Sequence, residues 1–276
     1  MTPLFYHPDQ DCTDTFSFIS VAKIPEFVRR ADRKYQIPQM ITEGHIVAAH
    51  DVDFVKGVLN RTRDNGFGNR DERVLKSILA SNSNFLAAAR YAHGHGVAAS
   101  ATQGFHHSHF DNCYGYCTFN GLMIAALDLL ISGKVRKVLI IDGDGHHGDG
   151  TDDIIDRNGL SKSVTNITSA TMNGLVNDFD ASDWYEYTLG LIEKHNPGII
   201  MYQAGADAWE GDPYGVGYLD EMDLMRRDTG IMRAARYRMV PLVWNLAGGY
   251  TTPMKKVIDI HLNTLMMSDR VYYGTV

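Results

Sequence analysis

Residues 141–151 read Ile-Asp-Gly-Asp-Gly-His-His-Gly-Asp-Gly-Thr. Three carboxylates, two imidazoles and four glycines leave this stretch too little apolar bulk to build a core. It follows an apolar run, Arg136 to Asp142, that reads as a strand. Side chains alternate along an extended chain, so Asp142, Asp144 and His146 would point the same way if it stays extended. Carboxylate oxygen and imidazole nitrogen suit Zn²⁺ or another divalent first-row ion. Gly143 and Gly145 let neighbouring backbone come close. A third protein ligand must come from elsewhere, and Asp207 in Gly-Ala-Asp-Ala-Trp-Glu-Gly-Asp-Pro (205–213) is the best candidate. Asp144, His146 and Asp207 would then leave an open position, as catalytic metal sites do. A calcium loop is excluded: His146 and His147 stand where it needs an oxygen ligand and a turn glycine, and no Glu closes it. A solvated glycine-rich turn is the bland alternative. Matching clusters elsewhere in the chain argue against it.

One such cluster is His106-His107 in Gly-Phe-His-His-Ser-His (104–109). Imidazole exchanges a proton near neutral pH, and a carboxylate partner fixes its tautomer and raises its basicity. Asp142 and Asp149 are not needed by the metal, so two Asp–His dyads are expected. A further cluster is Gly248-Gly249-Tyr250. Two glycines bring the tyrosine hydroxyl into a tight site, where it could donate to a developing oxyanion. His147 is left without a chemical role and is expected to be structural.

Elements must hold these clusters together. Apolar runs lie at 97–103, 136–142, 163–168, 198–205 and 241–248, and helical periodicity at 71–92, 119–134, 183–198, 219–239 and 253–267. Near-continuous apolar strands alternating with amphipathic helices predict a parallel sheet covered on both faces. Ligands bind at the carboxyl ends of such strands. The His-His, Asp-Gly, Ala-Asp-Ala and Gly-Gly-Tyr clusters each follow one. No linker, repeat or charge run divides residues 1–276, so one domain is expected. The net charge of −7 offers no basic field for nucleic acid or anionic lipid. Three cysteines fit no disulfide framework; Cys113 and Cys117 have the spacing of helix neighbours but make no zinc site by themselves. The first residues lack the basic and apolar regions of a signal peptide, and no apolar run approaches the ~20 residues of a membrane span. A soluble, cytoplasmic protein in a reducing compartment is expected.

The set GFHHSH, GYCTFN, IDGDGHHGDGT, GADAWEGDPYG and LAGGYT resembles the histone deacetylase superfamily, which includes acetylpolyamine amidohydrolases and acetoin-utilisation proteins. The motifs occur in that superfamily's order. Weaker similarity runs through FYHP (5–8), AAHDVDFV (48–55) and GFGNRDE (66–72). The resemblance implies a single-domain α/β arginase–deacetylase fold, with a central parallel sheet of about eight strands and helices on both faces. It implies Asp144, His146 and Asp207 as metal ligands, for Zn²⁺ or else Fe²⁺ or Co²⁺. It implies His106 and His107 as general acid and base, Asp142 and Asp149 as their carboxylates, and Tyr250 as the group polarising the acyl carbonyl. A structural K⁺ held partly by backbone carbonyls around Asp142, Asp144 and His146 is implied as well.

The activity implied is metal-dependent hydrolysis of a linear N-acyl amide, such as acetyl-lysine or an acetylated polyamine, to free amine and carboxylate. Tyr116, with Gly115 beside it, matches one aromatic wall of the acyl-lysine tunnel, Tyr replacing the usual Phe. The opposite wall should come from 169–180, which carries no aromatic in the expected place; Met172 or Leu175 could substitute. The shortness of the chain implies an open rim. A small-molecule or peptide acyl amide is the expected partner, and the oligomeric state is open. An arginase-like ureohydrolase, with a two-metal cluster, and a non-catalytic binding module are the competing readings. Loss of a ligand or of the tyrosine would mark the module, and neither is lost.

Overall fold

The computed structural model describes residues 1–16, 18–168, 181–215 and 217–274. Seven strands, all parallel, form one sheet among these residues: β1 (Leu4–Phe5), β2 (Tyr35–Gln36), β3 (Val97–Ser100), β4 (Val138–Asp142), β5 (Val164–Thr168), β6 (Ile199–Gln203) and β7 (Leu242–Asn245). Their order is β2-β1-β3-β7-β6-β4-β5. The resemblance implies about eight strands; the described residues supply seven.

β3, β4, β6 and β7 are buried along their whole length. Helices cover both faces, so these strands have no solvent side and read as unbroken apolar runs. β5, at the sheet edge, keeps three half-buried residues. Nine helices of the described residues flank the sheet: α1 (Ile19–Ala31), α2 (Glu43–Val47), α3 (Val52–Leu59), α4 (Glu72–His95), α5 (Gly121–Ile131), α6 (Asp149–Arg157), α7 (Ala181–His195), α8 (Glu221–Tyr237) and α9 (Lys255–Tyr273). The two faces carry separate apolar cores. Ile140 of β4 packs in one, with Phe85 of α4, Leu122 of α5 and Ile154 of α6. Leu139 and Ile141 point the other way, joining Phe27 of α1, Trp184 of α7, Ile231 of α8 and Ile258 of α9.

Helix starts follow the sequence signals. Asp71 caps α4 through the amides of Arg73 and Val74, and Asn120 caps α5 through that of Met123. The loops after β3, β4, β6 and β7 emerge at one end because every strand is parallel. Part of the Asp-Gly-His-His stretch is not loop, since α6 begins at Asp149. Cys113 and Cys117 are not helix neighbours: they pair with Ser108 and Tyr114 in a small antiparallel turn, and all three cysteines are free. Among the described residues, no helix is long and apolar enough to cross a membrane.

Candidate active site

Asp144 and His146 follow β4, and Asp207 follows β6, the strand beside it. His146 Nδ1 lies 3.1 Å from Asp144 Oδ1 and 2.9 Å from Asp207 Oδ2. One ligand atom from each residue falls within 4.8 Å of the others, and this is the only such group of His, Cys, Asp or Glu among the described residues. Both carboxylates are buried. Their other oxygens are held by backbone: Gly248 N donates to Asp144 at 2.7 Å and Gly145 N to Asp207 at 2.9 Å. A Cβ at Gly248 would stand 2.3 Å from Asp207 Oδ2, so only glycine lets this turn approach. Burial and the neighbouring Asp144 charge push the Asp207 carboxyl up to about 7. Two buried carboxylates and an imidazole around one point form a donor set that fits a divalent first-row cation, and such an ion would relieve their repulsion.

The two histidines after β3 each take a carboxylate. His106 Nδ1 lies 2.6 Å from Asp142 Oδ2, and His107 Nδ1 lies 2.8 Å from Asp149 Oδ1. Their rings are 4.2 Å apart. Asp142 is fully buried, and its other oxygen accepts from Gln203 Nε2 and Asp144 N. Burial opposes charge on His106, but Asp142 and Asp144 outweigh it and push the imidazole up to about 9. Burial and the His106 charge lower that of His107.

Tyr250 closes the same space. Its ring lies 6.1 Å from that of His146 at 78°. Burial, with Asp144 and Asp207 near, holds the phenol well above its ordinary pKa, so the hydroxyl stays a donor. A cavity of about 300 Å³ is lined by Phe18, His107, Tyr116, His146, Tyr214 and Tyr250. Beneath it a pocket of about 10 Å³, lined by Ser20, Gln103, His106, Cys117 and Asp144, has room for about one water. Tyr116 and Gly115 stand at the rim with φ of 62° and 58°. The expected opposite wall, 169–180 with Met172 and Leu175, lies outside the described residues. Phe18, just before α1, also lines the cavity and stacks on Tyr116 at 4.1 Å and 20°. His147 pairs with Thr168 Oγ1 through Nδ1 at 2.8 Å and faces Asp152 through Nε2 at 3.3 Å.

A sequence model of the histone deacetylase domain matches residues 21–170 and 161–265. The chain belongs to the histone deacetylase family. Among relatives, an uncharacterised protein of Picosynechococcus is 23% identical, over 94% of this chain and 95% of that protein. Histone deacetylase 2 of Arabidopsis thaliana is 25% identical, over 70% of this chain. Probable histone deacetylase 19 of Zea mays is 28% identical, over 59%. The matches span 54% and 36% of those two plant proteins. The crystal structure of acetylpolyamine aminohydrolase from Burkholderia pseudomallei shares the fold, with a TM-score of 0.77 at 16% identity, over 98% of this chain and 99% of that one.

Four residues around the site of this histone deacetylase family member have roles that the motifs do not show, one of them, Asp212, inside GADAWEGDPYG. Lys23 of α1 is fully buried and donates to the carbonyls of Ala247 and Gly248. Arg227 of α8 donates to the carbonyl of Gly143 at 2.8 Å and to that of Gly205 at 3.1 Å, tying the ends of β4 and β6. Asp212 accepts from Tyr250 N at 2.6 Å and Thr251 Oγ1 at 3.0 Å. Gln203 holds Asp142. A signal existed for two of them. Lys23 shares an apolar helix face with Ile24, Phe27 and Val28, and Arg227 shares one with Leu224 and Ile231.

Proposed function

We propose that this chain is a zinc-dependent deacylase that hydrolyses an N-acyl amide to free amine and carboxylate. The observation that carries this reading is the convergence on one cavity of Asp144, His146 and Asp207, two His–Asp dyads and Tyr250. Family membership supports it. A divalent ion held by the three ligands supplies Lewis acidity and makes water a better nucleophile near neutral pH. Zn²⁺ suits the donor set, as do Fe²⁺ and Co²⁺. The K⁺ that the resemblance implies would use the carbonyls of Asp142, Asp144 and His146; the part of its site expected from 169–180 lies outside the described residues.

The chain's own groups then divide the work. Asp149 pins His107 at Nδ1, leaving Nε2 to take the proton of the attacking water and later give it to the departing amine. Asp142 pins His106 the same way and favours its cationic form, which steadies negative charge developing beside it. The Tyr250 hydroxyl donates to the acyl oxygen, and most strongly when that oxygen becomes an oxyanion. Phe18, Tyr116 and Tyr214 line the approach for an apolar stem such as that of an acyl-lysine or an acylated polyamine.

One observation counts against a two-metal ureohydrolase. Asp212, the other acid near Asp207, spends its carboxylate on Tyr250, Thr251, Tyr214 and Gly215. The deciding experiment is hydrolysis of fluorogenic acyl-lysine peptides and acetylated polyamines, with and without chelator. Turnover that chelator abolishes and zinc restores is expected. A metal-loaded protein that leaves every such substrate intact would sink the reading.

A further inference from the structure

The two His–Asp dyads are not alike. Asp142 is sealed in the core, and its second oxygen is held by the Gln203 amide at 3.0 Å. Asp149 stands at the start of α6 with a partly exposed side chain, and among the described residues no buried amide serves its second oxygen. That oxygen, Oδ2, accepts from the hydroxyl of Tyr114. The Tyr114 ring also stacks on the His107 imidazole, with centroids 5.3 Å apart and planes at 27°. One side chain therefore touches both members of the dyad: the ring meets the imidazole, and the hydroxyl meets the carboxylate.

The backbone reinforces this. Gly115, next in sequence, has φ of 58°, and a Cβ there would stand 2.7 Å from His107 Cδ2. The turn is therefore pressed against the imidazole edge. His109 completes the surround, with Nε2 3.6 Å from Asp149 Oδ2 and its ring 5.5 Å from that of Tyr114.

We propose that Tyr114 is a positioning residue for His107, acting through Asp149. Asp149 Oδ1 is shared between His107 Nδ1 and Gly150 N, at 2.8 and 2.9 Å, and contacts at that one oxygen leave the plane of the carboxylate less defined than contacts at both. A donor on the second oxygen fixes its plane and so the direction of the bond to Nδ1. The stacked ring bars the imidazole from swinging toward solvent. Proton transfer at Nε2 depends on that aim, and small losses of alignment are expensive in rate. Neither the Tyr114 ring nor its hydroxyl is assigned to the substrate.

The kinetic part of the test rests on the deacylase reading; the spectroscopic part does not. Tyr114→Phe, Asp149→Asn and the double variant are compared as metal-loaded proteins on an acetyl-lysine peptide. Tyr114→Phe keeps the stack and removes the hydroxyl. It is expected to lower kcat about tenfold, the loss of one charge-assisted hydrogen bond, with KM within about twofold. In the Asp149→Asn background it should cost nothing more, because its route to His107 is already cut. Tyr114→Leu, which also removes the stack, should lose more. Low-field proton NMR reads the same contact without substrate. The Nδ1–H resonance that His107→Ala abolishes should shift in Tyr114→Phe, while that of His106 stays. If wild-type protein hydrolyses nothing, the deacylase reading falls and the resonance still decides the role of Tyr114. The inference is overturned if that resonance does not move, or if Tyr114→Phe costs as much without the Asp149 carboxylate as with it.

Discussion

Lys23 Nζ lies 2.6 Å from the carbonyl oxygen of Ala247 and 2.8 Å from that of Gly248. Ala247 has φ of 56°, in the left-handed region, so the turn before Tyr250 is held in a costly shape. Burial pulls the ammonium down to about 8, against the pull of Asp207, Asp144 and Asp212. Three links join here: an α1 side chain, a strained turn after β7, and the tyrosine that the turn carries. Lys23→Met removes the donor and leaves buried carbonyls unsatisfied, at roughly 1–3 kcal/mol for each. Urea unfolding should show that loss. Turnover of the folded fraction should fall at least about tenfold, because Tyr250 loses its aim. Full activity in Lys23→Met would mean the turn holds itself.

Tyr250→Phe tests the other end of that link. The ring and its contacts to Phe18 and Tyr214 are kept, and only the hydroxyl goes. Loss of one oxyanion donor lowers kcat by about 10²–10³. Metal content, read by elemental analysis, should not change, since no oxygen of Tyr250 is among the ligands. Unchanged turnover would assign the oxyanion to another donor.

Asp207→Ala should separate metal binding from folding. Asp207 is fully buried and accepts from Gly145 N as well as facing His146. Its removal is expected to lower bound metal from about one ion per chain to near zero after dialysis. Wild-type protein treated with chelator should lose activity in parallel and regain it with Zn²⁺, Fe²⁺ or Co²⁺. The metal that restores the highest turnover at equal occupancy identifies the best fit. Retention of a full equivalent by Asp207→Ala would place the ion elsewhere.

The sequence exposed most of this site because its chemistry is concentrated at strand ends. Asp144 lies two residues past Asp142, the last residue of β4, and the pairing of β4 with β6 brings Asp207, just past β6, beside it. His106 and His107 could be given partners because two carboxylates were left over. The rest depends on contacts between distant segments. Lys23 and Ala247 are 224 residues apart, and nothing in the periodicity of α1 names a carbonyl as its target. Nothing in the sequence singles out Tyr114; its place is known only from its hydroxyl on Asp149. β1 and β2, two residues each, are too short to show a period, yet they extend the sheet beyond β3. Phe18 belongs to no motif, because an aromatic beside a helix start is ordinary until its partner is known.

Acid should loosen the chain at the Arg33–Asp269 pair before it reaches the core. Asp269 of α9 accepts from Thr2 N at 2.6 Å and from Arg33 Nη2 at 2.7 Å, so it ties β1 and the end of α1 to α9. Burial raises its carboxyl pKa, but the Arg33 and Thr2 donors outweigh that and hold it below the ordinary value. The unfolded chain titrates near 3.9. A depressed folded pKa contributes stability that is complete above that value and is lost as pH falls through the folded pKa. Asp269→Asn should therefore cost about 2 kcal/mol at neutral pH, the order expected for breaking a bond to a charged partner. The gap between variant and wild type should close as the pH drops below about 4, through the lowered folded pKa. Urea midpoints at four or five pH values measure this directly. A gap that stays constant with pH would show that packing, and not charge, is what Asp269 supplies.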